Sequence, residues 1–372
     1  MFEYEALQLY WWFLVSLLGG LLVFIMFVQG GQTLLYGLGK SEEERDLIIN
    51  ALGRKWEIGF STLVMFGGAI FAAFPLFYAV SFGGAYFVWM AILFCFIIQA
   101  VSYEYRKKPN NLFGERFYER LLFINGSLGI FLIGVALGTL YTGGNFEVND
   151  MHLSHWTLPS YGLEALLNPF NLLFGVVLVL LARIQGMLYF LNNLDNQAIR
   201  WRILSRLKRE FILFLPLFVL FLLMLMLQDG YGYDEAGIVR VVPLKMLQNL
   251  LAFPWLLGLL AGGVLLFLFG IYRALVAQST QAIWWTGSAT VVMVTILLLL
   301  LGINHTVLYP SLSDLQSSLT IANSSGSHYT LTVMSMVSLL VPLVLGYIVA
   351  VWRAMDRFKL TVDEVNADPH HY

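Results

Sequence analysis

Apolar residues run along this chain in long blocks separated by short polar stretches. A window of about 20 residues, the length that crosses a bilayer as a helix, finds nine such blocks, near residues 9–36, 57–80, 84–102, 121–141, 166–190, 211–228, 247–273, 283–303 and 330–352. The pattern predicts an all-α integral membrane protein with about nine transmembrane helices in a single polytopic domain, 1–372. Composition agrees, since 59% of the 372 residues are apolar and 12% are charged, against about 25% charged in soluble domains. A soluble globular fold is thereby excluded. A net charge of −2 offers no basic surface for nucleic acid, and a single cysteine, Cys95, rules out a disulfide scaffold.

Charge then orients the spans. Eighteen of the 21 Lys and Arg residues fall in the stretches after blocks 1, 3, 5 and 7 and in the C-terminal tail, while the other side holds only Arg240 and Lys245, and Arg183 sits near the end of block 5. By the positive-inside rule this predicts an outside N-terminus, an inside C-terminus and an odd number of spans. Glu3 and Glu5 stand where a signal peptide has its basic segment, so block 1 is expected to remain as a helix. A coarse repeat is also visible. Gln29-Gly30 near the end of block 1 matches Gln185-Gly186 near the end of block 5, which predicts two four-helix units, 1–165 and 166–329, with 330–372 supplying a peripheral last helix and a cytoplasmic tail.

Candidate chemistry sits at the inside boundary. Glu57 follows Trp56 at the start of span 2, Glu104 lies at the end of span 3, and Gln29 and Gln32 lie at the same level in span 1. Ionisable groups in hydrocarbon cost several kcal/mol, roughly 2.5–3.5 on insertion scales, so such a cluster points to proton transfer. The plainer reading pairs these acids with nearby Arg54, Lys55 or Arg106. The midplane reads as almost bare, which counts against a secondary transporter with its central polar site. All six histidines (152, 155, 305, 328, 370, 371) fall in loops or the tail, so haem ligation within the spans is not expected. His152 and His155 with Asp150 are a weak metal motif, and the triplets at Asn304 and Asn323 fit glycosylation only formally. Gly67-Gly68-Ala69 offers a small-residue packing face, Pro75, Pro216 and Pro254 are expected to kink or cap helices, Trp11-Trp12, Trp89, Trp284-Trp285 and Trp352 read as interfacial anchors, and Cys95 reads as an inert packing residue.

A family resemblance enters at the same residues. Ile48-Ile49-Asn50-Ala51 through Trp56-Glu57, then Gly67-Gly68-Ala69-Ile70-Phe71-Ala72-Ala73-Phe74-Pro75, resembles subunit II of the cytochrome bd quinol oxidases, which read "INSI…WDGNQVWL…GGALFAAWP" here. The likeness continues at Ser102-Tyr103-Glu104-Tyr105-Arg106, at Leu166-Leu167-Asn168-Pro169-Phe170-Asn171, at Gln185-Gly186, and from Ser318 to Asn323 and Thr330 to Met334. The family's "TDGFDLG" becomes Val28-Gln29-Gly30-Gly31-Gln32-Thr33, so two acids are amides, whereas Glu57 and Glu104 keep acids in kind.

The resemblance implies a subunit that binds no haem itself. It scaffolds a haem-bearing subunit I, which carries two b haems and haem d and oxidises quinol while reducing oxygen to water. It also implies residence in the bacterial cytoplasmic membrane, small single-helix subunits as further partners, and a structural quinone in this subunit. A proton pathway would run through Glu57, oriented by Trp56, with Gln29 and Glu104 carrying a water chain. A purely structural subunit without a pathway, and a secondary transporter, are the alternatives.

Overall fold

The structure is a computed structural model that describes residues 3–367, apart from the side chain of Asn366, so His370 and His371 lie outside it. Among the described residues nine helices are long and apolar enough to cross a bilayer: α1 (Tyr4–Gln32), α2 (Glu42–Ala73), α3 (Tyr86–Tyr105), α4 (Glu115–Thr142), α5 (Pro169–Asn193), α6 (Gln197–Leu227), α7 (Pro254–Leu275), α8 (Ala282–Leu299) and α9 (His328–Met355). The shortest has 18 residues, about 27 Å at 1.5 Å per residue, close to the ~30 Å hydrocarbon thickness.

The boundaries move where charged residues form helix. Glu42–Gly53 is an amphipathic helical segment that starts with a reciprocal capping box between Ser41 and Glu44, and the apolar part of α2 follows from Trp56 to Ala73. Arg200, Arg202, Arg206, Lys208 and Arg209, expected in a loop, lie in the first turns of α6, which Asn196 caps by accepting from the Ile199 amide. Arg and Lys are good helix formers, and hydropathy alone cannot see them as helix. Prolines act as expected: Pro75 opens a short helix after α2 breaks at Phe74, Pro254 opens α7 after the separate helix Lys245–Ala252, and Pro216 stays inside α6. His328, expected in a loop, is the first residue of α9.

Packing centres on four helices. α1 packs along α8 and α4 along α5, with α5 crossing the end of α1; α6 and α7 flank α5 and α8. At the α1–α5 crossing the backbones touch through glycine: a Cβ on Gly30 would strike the Ala182 carbonyl, and one on Gly186 would strike Gly31 and the Phe27 carbonyl. Only glycine allows that approach. α9 lies against α1 and is otherwise almost wholly exposed, the peripheral helix the sequence predicts. Trp11 and Trp12 are not surface anchors. Trp12 is buried edge-on to Phe74 and Phe77, and Trp11 Nε1 donates to Ser335 Oγ at 3.0 Å.

The two ends of the bundle differ. One carries the N-terminus of α1 and two antiparallel hairpins, β1 (Phe146–Val148) with β2 (Ser154–Trp156) and β3 (Gly230–Tyr233) with β4 (Val239–Val242). The other collects the Lys and Arg residues, and there the segment after α9 folds back, with Leu360 exchanging backbone hydrogen bonds with Asn193 and Asp195. These are the hairpin end and the basic end.

Candidate functional site

The expected cluster separates into buried amides and exposed acids. Gln29 and Gln32 of α1 are fully enclosed, and each reaches α3: Gln29 Nε2 donates to Gln99 Oε1 at 3.2 Å, and Gln32 Nε2 to the Tyr103 hydroxyl at 3.1 Å. Gln99 and Tyr103 are four residues apart, hence on one face of α3. Asn125 of α4 joins from the third side, its Nδ2 donating to the Cys95 carbonyl at 2.9 Å, one turn from Gln99. It opens a π-helical segment, Asn125–Gly129, a distortion frequent at functional sites. Trp56 closes the cluster by stacking on Tyr103, centroids 5.7 Å apart and planes 12° apart. Gly59, one turn on, leaves space for the Gln29 amide, which would lie 3.3 Å from a Cβ there.

Glu57 and Glu104, the chain neighbours of the stacked Trp56 and Tyr103, are exposed on the outer surface of α2 and α3. They do not join the amides. Nor do they take the cations that the plainer reading offered them. Arg54 pairs with Glu364 at 2.9 Å; Lys55, wholly buried, pairs with Asp356 at 2.9 Å beneath the Trp352 ring. Arg106 pairs with Asp46, Glu115 and Glu119.

Arg106 anchors a buried ion clamp that the sequence did not reveal. Its guanidinium donates to Asp46 and Glu119, Lys107 reaches Asp46 at 3.0 Å and Glu115 at 2.9 Å, and Tyr36 donates its hydroxyl to Glu119 at 2.6 Å. Burial opposes the charge on Arg106, but Asp46 and Glu119 outweigh it and hold its pKa above the usual value. Burial, and then Glu119, push Tyr36 up to about 12. A second clamp joins α5 to α6, where Arg183 donates to Glu210, Arg206 reaches Glu210 at 2.8 Å, and Arg183 donates to Thr33 at 2.7 Å. Gln185, beside the α1–α5 crossing, accepts from Thr286 at 2.7 Å and donates to Thr290 at 2.9 Å, both on α8. The signal for these residues was present as lone amides and hydroxyls inside apolar blocks, of which Gln99, Asn125 and Gln185 are the clearest.

At the hairpin end a cavity of about 330 Å³ opens between α3, α4 and α5, with Val88, Trp89 and Ala136 as apolar walls and Glu164, Asn171 and Tyr309 as polar ones. Among the described residues no three His, Cys, Asp or Glu side chains are grouped to hold a metal ion.

A family model described as cytochrome bd terminal oxidase subunit II matches residues 7–355. The cytochrome bd-I ubiquinol oxidase subunit 2 of Escherichia coli (strain K12) is 29% identical over 387 residues, covering 100% of this chain and 99% of that protein. A probable cytochrome oxidase subunit 2 of Haemophilus influenzae is 35% identical over 232 residues, 62% of this chain and 60% of its own length. The solved bd oxidase from Geobacillus thermodenitrificans aligns with a TM-score of 0.61 and 12% identity over 96% of this chain and 100% of that one, a likeness of fold.

Proposed function

The chain belongs to the cytochrome bd terminal oxidase subunit II family, and from that premise we propose that it is the haem-free subunit of its oxidase, holding a haem-bearing subunit I and delivering protons to it along the outer face of α2 and α3. As a membrane-located subunit of a respiratory quinol oxidase it works within an oxidoreductase complex, whose two b haems and haem d we assign to subunit I. His152 and His305 lie in loops, His155 in the short strand β2 and His328 at the start of α9, which supports that division. Expressed alone, the chain is expected to show no haem b or haem d absorption; a stoichiometric haem ligated by this chain would contradict it.

The scaffold role has support on α2. Glu57, Ser61, Met65 and Gly68 form an exposed stripe, and a Cβ on Gly68 would meet nothing within 4 Å, so a partner helix can approach closely there. The cavity between α3, α4 and α5 has the size and the mixed apolar and polar wall of a small-molecule site, and we assign it to the structural quinone. Its Glu164, Asn171 and Tyr309 would meet the polar head and Val88, Trp89 and Ala136 the apolar part. The basic end is read as cytoplasmic from the charge asymmetry. The two four-helix units are read from paired contacts, α1 on α8 and α5 on α4, and from Gly30 and Gly186 at one crossing.

The proton reading rests on one observation. The Trp56–Tyr103 stack that covers the buried amides is flanked in sequence by two exposed acids, Glu57 and Glu104, with no ion-pair partner among the described residues. A carboxylate exchanges protons with water, whereas an amide only orients a hydrogen-bonded chain, so Glu57 and Glu104 carry the proton while Trp56 and Gln29 position its path. Substituting Glu57→Gln keeps shape and hydrogen bonding but removes the proton. Slowed quinol oxidase turnover with normal haem content supports the reading; wild-type turnover leaves a scaffold without a pathway, the alternative that the amides at 29 and 32 favour.

A further inference from the structure

Five polar atoms in the amide cluster find no hydrogen-bond partner among the described residues: Gln29 Oε1, Gln32 Oε1, Gln99 Nε2, Asn125 Oδ1 and Trp56 Nε1. Four of their residues are at most 1% exposed in the free chain, so no partner subunit can reach these amides from outside. Buried polar groups left unpaired are costly, and five in one place demand a physical account. Rotating the amides does not remove the problem. The single Gln29–Gln99 bond always leaves one amide nitrogen and one amide oxygen without a partner, whichever side donates.

The unused atoms have a complementary count. On one side stand Gln99 Nε2, a donor, with Gln29 Oε1 and Asn125 Oδ1, two acceptors. Helix geometry brings them to one level: a Cβ on Gly126 would strike the Gln29 carbonyl, so Asn125 stands beside Gln29, and Asn125 binds the Cys95 carbonyl one turn from Gln99. A molecule that accepts once and donates twice satisfies all three. On the other side stand Trp56 Nε1, a donor, and Gln32 Oε1, an acceptor, joined through Tyr103, on which Trp56 stacks and to which Gln32 donates. One acceptance and one donation satisfy that pair.

We propose that α1, α3 and α4 enclose two ordered water molecules, one held by Gln99, Gln29 and Asn125 and one by Trp56 and Gln32, beneath the Trp56–Tyr103 stack. Water is the ligand class that supplies both roles at each site, and buried waters typically make about three hydrogen bonds to groups otherwise unsatisfied. Charged ligands fit poorly, because the five atoms are neutral and mix donors with acceptors. The site also accounts for the amides at 29 and 32: each fixes a donor and an acceptor direction at every pH, which an acid titrating in the same place would not. The assignment deepens the proton reading, since the second water is held by Trp56, the chain neighbour of Glu57, but it stands on hydrogen-bond count.

The test is a map of the intact oxidase complex, by cryo-electron microscopy at a resolution that shows waters. Expected is non-protein density about 2.7–3.2 Å from Gln99 Nε2, Gln29 Oε1 and Asn125 Oδ1, with a second peak between Trp56 Nε1 and Gln32 Oε1. Amides paired directly with one another and no density would overturn the proposal. Asn125→Leu is expected to abolish the first peak and leave the second; a first peak that survives unchanged would overturn the assignment of its partners. If that variant does not assemble, the wild-type map still decides. Glu57→Gln separates the two ideas, because wild-type turnover there ends the proton route without touching either density peak.

Discussion

Two regions of the basic end use carboxylates in opposite ways. Beneath α1, α3 and α4, Asp46 and Glu119 are enclosed and held by Arg106, Lys107 and Tyr36. On the outer face of α2 and α3, Glu57 and Glu104 are exposed and free of ion pairs among the described residues. A buried carboxylate with several charged donors around it fixes geometry; an exposed one is open to water. The difference teaches that position near the membrane boundary does not decide what an acid does. The number of donors that surround it does.

The comparison breaks most visibly at Arg106. Arg106→Met leaves Asp46 and Glu119 buried without their main partner, and breaking a buried pair from one side costs about 3–5 kcal/mol. Recovery of assembled complex and its thermal midpoint are expected to fall sharply; unchanged values would mean the clamp contributes nothing.

The outer acids are expected to give a smaller, purely kinetic effect. Glu57→Gln should lower turnover roughly tenfold, less than the ~10²–10⁴ of direct acid–base catalysis, because the group feeds the reaction and does not perform it. Glu104→Gln should lower it less, as the second acid of the same face. Equal rates for both variants and wild type would remove the outer face from proton delivery.

Orientation sharpens the comparison in another way, since only the outer acids need the basic end to face the cytoplasm. A reporter fused at the C-terminus is expected to read cytoplasm, and a periplasmic reading would put Glu57 and Glu104 on the wrong side for proton delivery.

The smallest effect is alkaline. Tyr36 is pushed up to about 12, first by burial and then by Glu119, so its protonated form is favoured in the folded chain. That contribution is intact below the ordinary tyrosine value of about 10 and is lost as pH rises toward about 12. The thermal midpoint should hold through neutral pH and fall above about pH 10, with a shallower fall in Tyr36→Phe; an identical profile in the variant would count against the clamp at that position.

Much of this architecture was readable from hydrophobic blocks, because a bilayer admits few alternatives to long apolar helices. What escaped did so for physical reasons. Glu42–Gly53 and the start of α6 are helices rich in charge, and hydropathy registers charge as loop. Trp11-Trp12 looked like an interfacial anchor because aromatic pairs near a span end usually are, yet Trp12 fills the contact with Phe74 and Phe77. At the site, residue types were legible and their facing was not: Trp56 and Glu57 are adjacent, but about 100° of helical rotation puts one against Tyr103 and the other on the surface. Asn125 was visible as an amide inside an apolar block, but not that it opens a π-helical segment and donates to the Cys95 carbonyl.

The most direct test of this division sets two like substitutions side by side in the purified complex: Glu57→Gln and Glu119→Gln, each scored for turnover per haem and for assembled yield. The account predicts that Glu57→Gln lowers turnover per haem at normal yield, while Glu119→Gln lowers yield and leaves turnover per assembled haem near wild type. The reverse pattern, with Glu119 controlling rate and Glu57 controlling assembly, would contradict it.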